Sequence, residues 1–133
     1  MNTYFADTSL FVAFLNRRDE FHDLAVRYIG DESNNLVTTS WILVELGNFV
    51  CKSRTRRRFA PFVRDLRDDP LVEILPPTAD AFDQALHLYA RRPDKDWSMT
   101  DCLSFLVMRE RRLREALTTD HHFEQAGFKA LLR

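Results

Sequence analysis

Four carboxylates stand out because their positions are awkward for purely structural roles. Asp7 follows the apolar triplet Tyr4-Phe5-Ala6, and Asp120 follows Ala116-Leu117-Thr118-Thr119. Each sits where a short strand would end. Ligands of an open parallel sheet bind outside the carboxyl ends of its strands, so two acids at such ends can face one crevice. Each can equally cap a helix: Asp7 one that starts near Leu10, a job also open to Thr8 or Ser9, and Asp120 one that runs through Phe123. Glu45 has Ile42 and Phe49 as its i−3 and i+4 neighbours, which puts it on an apolar helical stripe. A carboxylate there must be paired with an arginine, protonated or metal-bound, or else lie at the stripe's edge. Asp101 stands near the start of another helix, where the dipole favours an anion.

Four acids converging on one pocket need compensating cations. Lysine is scarce (Lys52, Lys95 and Lys129), and none neighbours these acids in sequence. A hard divalent ion, Mg²⁺ or Mn²⁺, suits a shell of carboxylates and water and commonly works on phosphates. Thr118 shares a strand face with Asp120 by the period of two, so its hydroxyl can enter the same crevice. Ser9, two residues past Asp7, can hold a water or cap a helix. Asp94 and Asp96 read as solvated loop acids. His121 and His122 read as packing residues beside Phe123. Trp97 is a candidate for stacking bases, and Trp41 reads as a core residue.

Such a crevice needs strands alternating with helices. Strand patterns fall at residues 4–6, 36–39, 71–75, 116–119 and 128–131. One helical face carries Phe21, Leu24, Ala25 and Tyr28; a second, capped by Ser40, carries Ile42, Glu45, Leu46 and Phe49. Phe59, Phe62, Val63 and Leu66 mark a third helix, with Pro61 in its first turn or at a kink. Thr78 caps a helix through Phe82, Ala85 and Tyr89, and Ser98 or Thr100 caps one through Cys102 and Phe105. Strands separated by helices imply parallel pairing and an α/β sandwich. With 133 residues and no linker or repeat, one domain spanning 1–133 is expected.

Composition removes several classes. No apolar run approaches the ~20 residues that span a bilayer, and the start Met1-Asn2-Thr3-Tyr4 lacks the pattern of a signal peptide. Two cysteines, Cys51 and Cys102, make neither a disulfide framework nor a zinc ribbon, and a reducing cytoplasm is the expected location. Three glycines cannot build a dinucleotide or NTP phosphate loop. The net charge of −1 conceals an asymmetry. Residues 52–67 hold seven basic residues and one acid, a charge of +6 against −7 for the remainder. Within that run Arg54, Arg56, Arg57 and Arg58 can contact RNA phosphates, form a solvated helix face or dock a partner.

Taken in order, Ala6-Asp7-Thr8-Ser9, Glu45, Thr100-Asp101-Cys102 and Thr118-Thr119-Asp120-His121-His122-Phe123 with Gly127-Phe128 resemble the PIN domain. The resemblance is to VapC-type toxins of bacterial and archaeal toxin–antitoxin pairs in particular, and it spans essentially the whole chain. It implies a three-layer α/β/α sandwich with a central, mostly parallel sheet of four to five strands. It implies an endoribonuclease dependent on Mg²⁺ or Mn²⁺, acting as the toxin of a type II system and leaving 5′-phosphate and 3′-hydroxyl ends. Asp7, Glu45, Asp101 and Asp120 match the family's acidic, metal-holding quartet, with Ser9 and Thr118 in support. A cognate VapB-type antitoxin and a homodimer are implied as well. The alternative is a non-catalytic RNA- or partner-binding domain of the same fold. A receiver-type phosphotransfer module fits poorly because Lys129 lies inside the last strand. A haloacid-dehalogenase-like phosphatase fits poorly because Ser9 stands where a second aspartate is needed.

Overall fold

In the computed structural model, which describes residues 1–133, all five expected strands form and join one sheet. They are β1 (Asn2–Ala6), β2 (Asn34–Thr39), β3 (Val72–Leu75), β4 (Glu115–Leu117) and β5 (Lys129–Ala130). The order is β3-β2-β1-β4-β5, and every pairing is parallel. Phe5 stands opposite Val37 on one side and Ala116 on the other, so β1 is the central strand. The chain steps outward from β1 to β2 and β3, then returns across β1 to β4 and β5. The reversal puts the topological switch point between β1 and β4, where the crevice of such a sheet opens.

Seven helices make the crossovers: α1 (Thr8–Leu15), α2 (His22–Gly30), α3 (Ser40–Val50), α4 (Arg56–Asp68), α5 (Ala79–Arg91), α6 (Met99–Glu110) and α7 (His121–Gln125). One set packs through Phe11 and Phe14 of α1 against Phe62 of α4, with ring centroids 5.5 and 5.4 Å apart. Elsewhere Phe105 of α6 meets Trp97, Phe123 and Phe128, and Phe123 reaches Phe5 of β1. The result is a three-layer α/β/α sandwich. Phe5, Ala6, Ala116 and Leu117 are fully buried, as expected of central parallel strands covered on both faces.

Several local details differ from expectation. α3 is capped by Thr39, whose Oγ1 accepts from the Ile42 amide at 3.1 Å, and Ser40 is already helical. Thr39 keeps extended backbone angles, which lets its hydroxyl fold over the first turn. α4 begins at Arg56, so Pro61 lies inside the helix. The carbonyl of Arg57 thereby loses its donor, but both residues are exposed and water can replace it. β4 ends at Leu117, two residues short of the expected strand, although the Thr118 carbonyl still accepts the Leu132 amide at 3.1 Å. Trp97 is only 5% exposed, donates its indole N–H to Gln125 Oε1 at 3.1 Å and sits under the Arg92 guanidinium. It is a packing residue, not a surface for bases, because α6 and α7 close over it. Trp41 packs on Phe82. No helix is long and apolar enough to cross a membrane.

Candidate active site

Asp7 occupies the N-cap position of α1, yet its side chain makes no cap bond. It turns instead across the switch point. Its Oδ2 accepts from the Thr118 hydroxyl at 2.6 Å, and Ser9 Oγ lies 3.3 Å from Thr118 Oγ1 and 3.5 Å from Asp7 Oδ2. Thr118 Oγ1 also accepts the Asp120 amide at 3.0 Å, and Ser9 Oγ accepts the Thr119 amide at 3.1 Å. The two hydroxyls thus tie the end of β1 to the end of β4. Asp7 is 7% exposed. Burial pushes its carboxyl up to about 7, and the fields of Asp101 and Glu45 add to this, while the Thr118 bond opposes it.

Glu45 is half-buried, and its Oε1 accepts from the Thr8 hydroxyl. Of its helical neighbours, Ile42 is buried and Phe49 is exposed, so Glu45 lies at the edge of the apolar stripe. It does not pair with an arginine. The ion pairs that involve arginine lie elsewhere: Arg92–Asp94, Arg111–Glu73 and Arg133–Glu124. The expectation that Asp94 is a solvated loop acid becomes an exposed, bidentate pair with Arg92.

Asp101 forms a capping box at the start of α6. Ser98 Oγ accepts the Asp101 amide, and Asp101 Oδ2 accepts the Ser98 amide, each at 3.0 Å. Burial raises its carboxyl as well, and Asp120 adds to the rise. Asp120 caps α7, with Oδ1 accepting the His122 amide at 2.8 Å. The capping role foreseen for Asp120 is therefore real, Ser98 is the cap of α6, and Asp101 is the first-turn acid that completes its capping box.

His122 is where sequence reasoning fell short. Its Nδ1 lies 2.9 Å from Asp101 Oδ2 and 3.4 Å from Asp120 Oδ1, so it bridges two of the acids instead of packing in the core. His121 is more exposed, with Nδ1 3.6 Å from Asp120 Oδ1. The available signal was a histidine two residues past a strand-end acid, in the first turn of a short helix. Asp7, Glu45 and Asp120 line a cleft of about 820 Å³, together with Asp19 and Glu20 of the α1–α2 turn and Phe49 of α3. Nothing local distinguished Asp19 and Glu20 from ordinary loop acids. Asp101 does not line this cleft and is linked to Asp120 through His122.

The donor set suits a hard divalent cation. It offers carboxylate oxygens from four separate elements and no lysine or arginine, and burial pushes the Asp7 carboxyl up to about 7, so a bound cation would favour its ionised form. Asp120, His121 and His122 also present ligand atoms within 4.8 Å of one another. Of the arginine run, Arg56 donates to the Cys51 carbonyl at 2.9 Å and Arg58 to the Leu15 carbonyl at 2.6 Å. Arg54 and Arg57 are exposed.

An acid-lined cleft at the switch point of a parallel α/β sandwich is the arrangement that the resemblance implied. The chain belongs to the PIN domain family, whose model matches residues 4–129. Among characterised relatives it is 30% identical over 124 residues to the 23S rRNA-specific endonuclease VapC20 of Mycobacterium tuberculosis, covering 93% of this chain and 94% of that protein. The crystal structure of M. tuberculosis VapC20, a sarcin–ricin loop cleaving toxin, matches with a TM-score of 0.82 at 28% identity, over 94% of this chain and 95% of that one. VapBC2 from Rickettsia felis, solved bound to a DNA fragment from its promoter, matches with a TM-score of 0.67 over 96% of each chain. At 15% identity that is a likeness of fold.

Proposed function

We propose that this chain is a metal-dependent endoribonuclease that hydrolyses RNA phosphodiester bonds, and the toxin of a type II toxin–antitoxin pair. The observation that carries this is Asp7, a buried carboxyl at the switch point with three further acids around it and no lysine or arginine to pair with. The similarity to VapC20 along nearly the whole chain supports the same reaction class. Asp7, Glu45, Asp101 and Asp120 would hold Mg²⁺ or Mn²⁺. A bound divalent ion supplies Lewis-acid activation of water and neutralises charge on the phosphodiester.

The protein's own part is positioning. Thr118 and Ser9 hold the Asp7 carboxyl, Thr8 holds Glu45, and His122 keeps Asp101 and Asp120 in register. These contacts join elements that are distant in sequence, so the donor oxygens are set in place before any ligand arrives. The acids on the cleft wall exclude a bare phosphate chain and admit one whose charge is countered by a cation. Two free cysteines suit a cytoplasmic location, and a single cluster of 26 buried residues supports reading 1–133 as one domain.

The testing experiment incubates the purified chain with total RNA and ribosomal RNA in Mg²⁺ or Mn²⁺, then maps the new ends. Discrete cleavages with 5′-phosphate ends, abolished by EDTA, are expected. RNA left intact in both metals, or cleaved equally in EDTA, overturns the reading. Bound but uncut RNA favours the non-catalytic alternative.

The arginine run gives a separate expectation. Arg58 holds the end of α1 and is best left alone, so the double variant Arg54→Ala with Arg57→Ala isolates phosphate contact. If both meet phosphates, the log–log salt slope of RNA binding falls by about 1.4, at ~0.7 per contact with a single strand. An unchanged slope removes these arginines from the RNA path.

For an antitoxin, the groove of about 540 Å³ between α3 and α4 is the best-suited surface. Its lining combines the apolar Val44, Phe59 and Val63 with the cationic Arg64 and Arg67. Gly47 lets the helices approach, since a Cβ there would lie 2.9 Å from the Phe59 ring. A lining that mixes apolar and cationic side chains fits an acidic amphipathic segment. The exposed row Phe82, Leu86 and Tyr89 on α5 offers a face for a homodimer.

A further inference from the structure

Phe49 has no structural work to do. It lies on α3 one turn beyond Glu45 and is 68% exposed. It is absent from the hydrophobic cluster and from every aromatic pair in the fold. A scattered exposed apolar residue is ordinary on a protein surface. This one lines the same cleft as Asp7, Glu45 and Asp120, where its other companions include Asp19 and Glu20. That wall carries no lysine or arginine to hold the phosphates of an RNA strand on either side of the one at the metal. The available attraction is to the faces of its bases, and an unpacked aromatic ring supplies it, because every base has a π-face.

We propose that Phe49 is a substrate-positioning residue that stacks on an unpaired base of the RNA flanking the scissile phosphate. The inference rests on the nuclease reading above. Helical geometry supports the placement. Residues four apart lie on one face, so Phe49 presents its ring on the side of α3 that carries the Glu45 carboxylate, within the same cleft. A single-stranded or looped substrate follows, since a base held in a duplex cannot present its face to a ring.

The test compares the wild-type chain with Phe49→Ala, Phe49→Leu and Phe49→Trp. Steady-state cleavage is measured on the shortest fragment of ribosomal RNA that the wild type cuts. Binding is followed with 2-aminopurine placed beside the cut site. Phe49→Ala is expected to raise KM about tenfold or more, with kcat little changed. Phe49→Trp restores KM, and Phe49→Leu does not. The 2-aminopurine fluorescence is quenched by the wild type and by Phe49→Trp only. Rescue by leucine equal to that by tryptophan overturns stacking, because apolar bulk would then suffice. Wild-type KM and quenching in Phe49→Ala also overturn it and assign the ring to a protein-facing surface. If the wild type cuts no RNA, the nuclease reading itself fails and this inference fails with it. Circular dichroism is expected to match in all four proteins, since the side chain is not packed.

Discussion

Asp7→Asn is expected to abolish metal-dependent RNA cleavage and, in the metal-free protein above about pH 7, to raise stability. The two effects have one cause. The Asp7 carboxyl is buried beside Glu45 and Asp101, and ionising it without a cation is costly. The amide has nearly the same shape, and its carbonyl oxygen still accepts from Thr118, so β1 and β4 remain tied. What is lost is a charged oxygen donor. Altering even the outer contacts of a metal site costs ~10- to 100-fold, so loss of a direct donor should exceed ~100-fold. Initial rates of RNA cleavage and denaturant midpoints at about pH 8 read both effects. Full cleavage by a cleanly folded Asp7→Asn protein would sink the mechanism. Lower stability than wild type would sink the account of the cost of ionising Asp7.

The wild-type protein, stripped of metal, is expected to lose stability as the pH rises from about 4 to about 7. The folded chain holds the Asp7 proton up to about 7, whereas the unfolded chain releases it near the ordinary value of 3.8. Between these values the folded state binds more protons than the unfolded state. Stability is then greatest below the unfolded value and declines as pH climbs through the folded one. A rise from 3.8 to about 7 corresponds to at most ~4 kcal/mol. Asp101 is also raised and contributes with the same sign. A divalent ion should reverse the loss. At a hundredfold excess over its Kd, a ligand that binds only the folded state adds ~2.7 kcal/mol. Urea midpoints of chelated protein across this range, repeated with Mn²⁺, test both halves. A flat profile without metal, or no recovery with it, contradicts the role given to Asp7.

The acids themselves were visible in the sequence because strand ends are. A short β-prone run followed by Asp marks a strand end from local pattern alone, and this located Asp7 and Asp120. What each carboxyl does was not visible. Asp7 reads equally well as a cap, and only its contact with Thr118, 111 residues away, turns it into the crevice. Glu45 is similar. Its apolar stripe was legible, but Phe49 proved to be outside the core, which moved Glu45 to the rim. His122 looked like a packing residue because its partner Asp101 belongs to another helix, 21 residues earlier. Trp97 looked available until α7 supplied Gln125 to its indole.

Element type was therefore a property of the sequence. Periodicity, caps and turn residues act between neighbours in the chain, and they specify a parallel α/β sandwich with acids at its strand ends. The order β3-β2-β1-β4-β5, the burial of Asp7 and the bridge through His122 belong to the tertiary structure. They depend on sums over residues brought from α1, α3, α6 and α7 to one place. Desolvation and like-charge fields exist only once those elements have packed, and these forces raise the Asp7 and Asp101 carboxyls above the ordinary range.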